Sequence, residues 1–462
     1  MPRLLVAGLS GGSGKTVVSL GMLLLLRRAG VDVRAFKKGP DYIDAGWLEW
    51  ASRHPARNLD TFLMGAPTVR ASFLRNAIAE GVNLIEGNRG LFDGFDAAGT
   101  HSSAVLAETL AAPVVLVVNA TRMTRTAAAL VLGCQHLDPH VSLRGVVLNE
   151  VNGQRHEKIL RAAIESACSI PVLGALPRSA ANPLPERHLG LVPPQESRGM
   201  ERLEEDLLRL VENRLDLDAL LSIARSAPPL ETAAEERPVL PDGRGLRIGY
   251  FKDSAFTFYY PENLEELERA GAELIPISPL TASELPPGLH ALYIGGGFPE
   301  THAPEISRNA GFLESLRRAC EGGLPVYAEC GGLMLLARSL AWKGAHYAMA
   351  GVFPFGVEVF AAPQGHGYAE LRVDAPNPFF PQGSVLRGHE FHYSRIAPVT
   401  PLPATACAVL RGAGCLPGRD GVTIHKVMAG YTHLHATATP GWTTGVIAAA
   451  HDYGIFGNTG ND

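Results

Sequence analysis

The segment GLSGGSGKT, Gly8–Thr16, lies between a short apolar run, RLLVAGL, and a longer one, VVSLGMLLLLRRAG. Few local features constrain a fold as tightly. A glycine-rich turn ending in Gly-Lys-Thr between a strand and a helix predicts a parallel α/β sheet with a phosphate cradle at its strand ends. Gly11, Gly12 and Gly14 let backbone N–H groups come close to phosphate oxygens. Lys15 is placed to meet the β- and γ-phosphates, and the Thr16 hydroxyl to ligate magnesium. A helix beginning near Lys15 adds its positive dipole end. The usual spacing has a glycine where this chain has Leu9; here the glycine comes one residue earlier, at Gly8. An ordinary glycine turn accounts for the glycines but not for the Lys-Thr that follows them.

The runs VDVRAFK, GVNLIEG, APVVLVVNA, LRGVVLNEV and IPVLGALPR follow in turn, each rich in Val, Leu or Ile. Continuous apolar strands of this kind belong to a parallel sheet covered by helices on both faces. GMERLEEDLLRLVENRLDLDALLSIAR is periodic and amphipathic, hence helical. The composition then shifts. SAPPLETAAEERPVLPDGRG, Ser226–Gly245, is rich in Pro, Glu and Ala and reads as a linker. A second β-α pattern begins at LRIGYF. The expected organisation is a P-loop α/β domain at 1–225, a linker at 226–245, a second α/β domain at 246–441 and a tail at 442–462.

A chain of 462 residues is long enough for two or three domains, and 46 % apolar with 19 % charged residues is a globular composition. The net charge of -5 argues against a protein held to nucleic acid by phosphate neutralisation. No apolar run reaches the length of a membrane span, and the apolar N-terminal run is too short for a signal sequence. Six cysteines without CxxC spacing predict neither a zinc site nor a redox pair, and indicate a reducing cytoplasm.

A bound nucleotide needs carboxylates for its metal. Glu86 ends the run LIEG, and Asp93 lies on the loop after it. Asp41 and Asp44 follow another strand, in KKGPDYIDAG. Glu86 is a magnesium candidate by its place at a strand end. Helix capping is the plainer reading of either Asp. Asn149 and Arg178, also near strand ends, are candidates for the base or a phosphate, or are solvated loop positions.

VYAECGGLML places Cys330 between an apolar run and a glycine pair. Strand, sharp turn and helix make a nucleophile elbow, and a helix N-terminus is expected to favour thiolate. Gly331 and Gly332, with the glycines of IGGGFPE, can present N–H groups to a developing oxyanion. A thiol nucleophile needs a base. His433 and His435, in YTHLHA, both qualify and are expected on one face of a strand.

These motifs carry a resemblance. YIGGGFPE, AECGGLM and YTHLH resemble the CobB/CobQ-type glutaminase domain, a branch of the class I glutamine amidotransferases. GLSGGSGKT, FKKGPDYIDAGW, RNLDTFLM and EGNRGLFDG resemble the synthetase domain of the cobyrinic acid a,c-diamide synthase family, and GHEFHYS matches a late motif of the same family. The resemblance spans nearly the whole chain. It implies an N-terminal P-loop NTPase domain of dethiobiotin-synthetase-like fold and a C-terminal class I amidotransferase α/β domain. It implies Cys330 as nucleophile and His433 as base; the position two residues on, often Glu in class I relatives, is His435 here, and the third triad member is left open. It implies ATP and Mg2+ as cofactors. Asp41, Tyr42, Ile43, Asp44, Glu86 and Asp93 fall on positions used around ATP, metal and macrocycle, with Thr16, Asp41 and Glu86 as metal ligands and Asp44 and Asp93 as groups that orient substrate or ammonia. The partners implied are a corrinoid tetrapyrrole, L-glutamine and ATP, with no nucleic acid and no membrane; a homodimer is compatible. The reaction implied is amidation of the a and c acetates of cobyrinic acid through acyl phosphates. Hydrogenobyrinic acid or nickel sirohydrochlorin would suit the same chemistry. A regulatory P-loop ATPase with a degenerate glutaminase-like module is the alternative from another class.

Overall fold

The computed structural model describes residues 1–178, 184–187, 190–197, 199–230 and 238–457. Of the expected linker, 231–237 lies outside the described residues. The chain divides into two compact units, Met1–Glu235 and Glu236–Asp462.

The first unit is built on seven strands: β1 (Arg3–Gly8), β2 (Val33–Lys38), β3 (Arg57–Leu59), β4 (Val82–Gly90), β5 (Val114–Asn119), β6 (Leu143–Val151) and β7 (Val172–Pro177). They form one parallel sheet in the order β3-β2-β4-β1-β5-β6-β7. All six residues of β1 are buried, as the apolar runs require of a sheet covered on both faces. The strand β3, Arg-Asn-Leu, is too short and polar to announce itself by pattern. Helix α1 (Lys15–Arg28) is apolar almost all round and is correspondingly buried from Val18 to Leu26. The amphipathic stretch resolves into two helices, Met200–Val211 and Leu217–Arg225. Asn213, at φ 57°, breaks the first, and the Asp216 side chain caps the second by accepting from Ala219 N at 2.9 Å.

In the second unit, a ten-stranded sheet begins with five parallel strands: Glu273–Ile277, Arg247–Phe251, Ala291–Ile294, Val326–Glu329 and Val427–Gly430. Five antiparallel strands extend it, from Arg419–Ile424 to the two-residue strand His433–Leu434. One apolar cluster covers each face: Phe251, Phe312 and Leu333 belong to one, Tyr293, Tyr327 and Trp442 to the other.

Of the expected tail at 442–462, residues 442–457 belong to a helix, and 458–462 lie outside the described residues. Pro440–Gly457 is a helix, and Trp442, Val446, Ile447 and Ala450 on it are buried in the second cluster. The Trp442 ring lies 4.9 Å from that of Tyr293. Apolar residues at helical spacing seek an apolar face, and the aromatic face of the sheet supplies it.

Candidate active sites

The phosphate loop sits at the carboxyl end of β1, between β4 and β5, where connections leave the sheet in opposite directions. Gly14 adopts φ 90° directly before α1. A Cβ there would stand 2.1 Å from Asn149 Nδ2. Asn149 instead donates to Ser13 O at 3.1 Å, so it braces the loop from the end of β6. Lys15 folds back on the loop, with Nζ 3.3 Å from Ser10 O. Burial, then the nearby Lys37 charge, hold its ammonium below the ordinary value.

Beside the loop lies a compact charged group. The register sets Lys37 of β2 against Glu86 of β4, so both side chains project on the same side of the sheet. Lys37 Nζ donates to Glu86 Oε1 at 2.7 Å, Asp44 Oδ2 at 2.6 Å and Gly87 O at 3.2 Å. Thr16 Oγ1 donates to the same Glu86 oxygen at 3.1 Å. The other oxygen, Oε2, is buried and has no hydrogen-bond partner among the described residues. Burial alone would pull the Lys37 ammonium down; Asp44 and Glu86 outweigh it and hold it above the usual lysine range.

Asp41 caps helix α2 (Tyr42–Ser52), accepting from Asp44 N at 2.8 Å. Burial, reinforced by the Asp44 charge, pushes its carboxyl up to about 7. The capping reading and the site reading therefore apply to one residue. Tyr42 and Ile43 form the first turn of α2, and Ile43 packs against the core. Asp93 accepts from Gly90 N at 2.9 Å and shapes the turn after β4. Arg178 is largely exposed, 3.8 Å from Glu150.

In the second unit, Cys330 occupies a sharp turn, φ 48° and ψ -98°, between the strand Val326–Glu329 and the helix Gly331–Leu336. Its N–H donates to Gly430 O at 2.7 Å. Gly332 packs so closely that a Cβ would meet Ile294 O at 2.7 Å, and one on Gly331 would lie 3.1 Å from Gly297 N. One on Gly296 would meet His433 Cε1 at 2.6 Å. The glycine turn after Ala291–Ile294 thus touches both the nucleophile helix and the His433 ring.

His433 Nδ1 lies 3.3 Å from Glu329 Oε2. The ring stacks on His389 at 4.9 Å, and Tyr260 links His389, through its hydroxyl at 3.1 Å, to His435, by ring contact at 4.6 Å. His435 faces Glu262 at 3.5 Å. Asp420 anchors the approach to His433 by accepting from Tyr431 N, Thr432 N and the Thr432 hydroxyl.

The expected thiolate at Cys330 is corrected. Burial, then the Glu300 carboxylate, push the thiol above its usual range, and the hydrogen bond from Gly331 is too little to offset them. The helix that follows has only six residues. Cys330 is a buried thiol that needs a base.

Both units match known protein families. Residues 4–192 match the CobQ/CobB/MinD/ParA nucleotide binding domain, and residues 247–440 the CobB/CobQ-like glutamine amidotransferase domain. Cobyrinate a,c-diamide synthase of Magnetococcus marinus is 43% identical over 447 residues, 96% of either chain. Those of Caldanaerobacter subterraneus and Archaeoglobus fulgidus are 42% and 39% identical, over 85% and 94% of this chain and 86% and 94% of theirs. The chain belongs to the cobyrinate a,c-diamide synthase family. It is a glutamine-hydrolysing ligase with a nucleotide-binding domain, and its α/β fold is the one its motifs imply.

Against this family background, the structure brings Thr16, Asp44 and Glu86 together around Lys37 and sets Asp41 beside Asp44. Sequence reasoning passed over Lys37 and Glu329. Glu329 carried one signal, a charge in a strand otherwise made for burial, whereas Lys37 stood beside Arg34 and Lys38 in VRAFKK and was not singled out by pattern. His389, inside GHEFHYS, was legible only as part of a motif.

Proposed function

We propose that this chain uses ATP and glutamine to amidate the a and c acetate carboxylates of cobyrinic acid, a step of cobalamin biosynthesis. Full-length likeness to relatives bearing that name carries the reading. Cys330 Sγ attacks the side-chain amide carbon of glutamine while His433 takes the thiol proton. His433 returns it to the departing ammonia, leaving a γ-glutamyl thioester that water hydrolyses to glutamate. The N–H groups of Gly297 and Gly331 serve the developing oxyanion, while those of Gly295 and Gly296 donate to the Tyr259 hydroxyl and Phe258 O.

A carboxylate is a poor electrophile for ammonia. Transfer of the γ-phosphoryl group of ATP makes it an acyl phosphate, from which ammonia displaces phosphate. Gly11, Gly12, Gly14 and Lys15 hold the ATP phosphates. The residues present suit magnesium: Thr16 Oγ1 already meets Glu86, the second Glu86 oxygen is buried without a hydrogen-bond partner among the described residues, and hydroxyl and carboxylate are the oxygen donors this ion takes. Thr16, Glu86 and Asp41 would hold it, and bound there it would neutralise phosphate charge. Tyr42, Ile43, Asp44 and Asp93 border the substrate. ATP and glutamine as substrates favour the cytoplasm, and no helix of the described residues is long and apolar enough to cross a membrane.

The test is a mass-spectrometric assay with ATP, magnesium and glutamine, offering cobyrinic acid, hydrogenobyrinic acid and nickel sirohydrochlorin in parallel. Two amidations of cobyrinic acid with ADP formed are expected. Amidation of another ring in its place, or of none with glutamine hydrolysis intact, overturns the substrate. Undiminished glutamine hydrolysis by Cys330→Ala overturns the nucleophile.

A further inference from the structure

We propose that Glu329, the residue immediately before the nucleophile, is the positioning carboxylate of the glutaminase site and acts through His433. The inference rests on the reading of Cys330 and His433 above. A histidine that accepts a proton at one ring nitrogen needs a partner at the other, to fix its tautomer and to stabilise the imidazolium that forms. Glu329 Oε2 lies 3.3 Å from Nδ1 of His433, and His433 is the only ion-pair partner of Glu329 among the described residues. The position two residues on, His435, turns instead to Tyr260 and Glu262.

Glu329 is fully buried, and a charge in such a place must be held by hydrogen bonds. Its Oε1 accepts from Leu434 N at 3.1 Å, the residue after His433. Its Oε2 accepts from the Tyr293 hydroxyl at 3.3 Å. Asn263 closes the frame: its amide donates to the Tyr293 oxygen at 3.0 Å and to Leu434 O at 2.9 Å, and its carbonyl accepts from Ala436 N at 2.7 Å. The carboxylate therefore grips both the ring and the backbone of the base-bearing strand. Because Glu329 and Cys330 are neighbours, one strand end sets the nucleophile and the group that orients its base.

The step balances as a proton transfer. The Cys330 S–H bond breaks, and its proton passes to Nε2 of His433. Nδ1–H stays on the ring, hydrogen-bonded to Glu329, which remains ionised. The new thiolate forms the S–C bond to glutamine, and the Nε2 proton leaves with ammonia. The titratable groups facing this pair are Cys330, His389, Tyr259, Tyr293 and Tyr327. Burial holds the three tyrosines above their ordinary values, and burial with the His433 charge keeps His389 neutral.

Glu329→Gln keeps the shape and removes the charge. In the full chain, kcat for glutamine hydrolysis is expected to fall at least about 100-fold with KM for glutamine little changed. Ammonia-driven amidation, which bypasses Cys330, should stay at the wild-type rate. Glu329→Gln combined with His433→Asn should be no slower than His433→Asn alone. A Glu329→Gln enzyme with kcat within threefold of wild type overturns the proposal, as does a double variant in which the two losses multiply. Full hydrolysis by His433→Asn overturns the base itself, and Glu329 with it. Should Glu329→Gln not fold, nitrogen-15 histidine spectra of the wild-type chain decide. With His433 assigned by its absence in His433→Asn, protonated Nδ1 is expected, and the Nε2–H tautomer overturns the proposal.

Discussion

Lys37 Nζ and Glu86 Oε1 lie 2.7 Å apart, with both side chains almost wholly buried. The register of β2 on β4 makes them neighbours, and Asp44 completes the pair at 2.6 Å from the same nitrogen. Removing the cation leaves buried carboxylates uncompensated. Lys37→Met is expected to destabilise the first unit by about 3–5 kcal/mol, read by denaturant unfolding. An unchanged midpoint would refute the pairing.

Gly14→Ala tests the phosphate loop. The new methyl would meet Asn149 Nδ2 and would hold a φ of 90° that L-residues resist. The strain is about 1–3 kcal/mol before any clash is relieved. ATP affinity by calorimetry should fall about tenfold or more, and Asn149→Ala in the same chain should restore only part of it.

Gly296→Ala pushes on the His433 ring, 2.6 Å from where the methyl would sit. Relieving that contact moves the ring by about 1 Å, and a misplacement of about 1 Å in a reacting group costs about 100-fold in rate. Glutamine hydrolysis should fall by that order while ammonia-driven amidation stays unchanged. Equal loss of both would place the defect elsewhere.

The raised Cys330 thiol predicts a pH dependence. Burial and Glu300 disfavour the thiolate, so alkylation of the resting enzyme should keep climbing with pH beyond about 8.5, where a free thiol levels off. Glu300→Gln removes one opposing charge, lowers the thiol pKa and should speed alkylation at neutral pH. Levelling near 8.5 would contradict the burial argument.

Trp442→Ala tests whether the last helix belongs to the second unit. Its indole is fully buried between aromatic rings, and its removal should cost about 3–5 kcal/mol, seen as a lower unfolding midpoint. A surface tail would tolerate the change.

Much of this was open to a reader of the chain alone. GLSGGSGKT announced its turn because its glycines, lysine and threonine act within one local segment. The apolar runs of β1, β5 and β6 announced a doubly covered sheet because burial on both faces leaves no polar alternation to mistake. Cys330 announced an elbow because strand, glycine pair and helix are contiguous. The helix Pro440–Gly457 was missed: its apolar stripe is diluted by small residues, and the aromatic face that receives it comes from strands more than a hundred residues earlier.

The chemistry of each motif, and the order of the two units, thus follow from residues adjacent in the chain. The partners of the charged residues do not. Lys37 meets Glu86, and Glu329 meets His433, through strand pairing and turns that join segments 49 and 104 residues apart. The thiol's protonation state likewise comes from burial and from Glu300, neither of which a helix N-terminus in the sequence foretells. Electrostatic energy depends on distance and on exclusion of water, and both arise only when remote strands pack into one sheet.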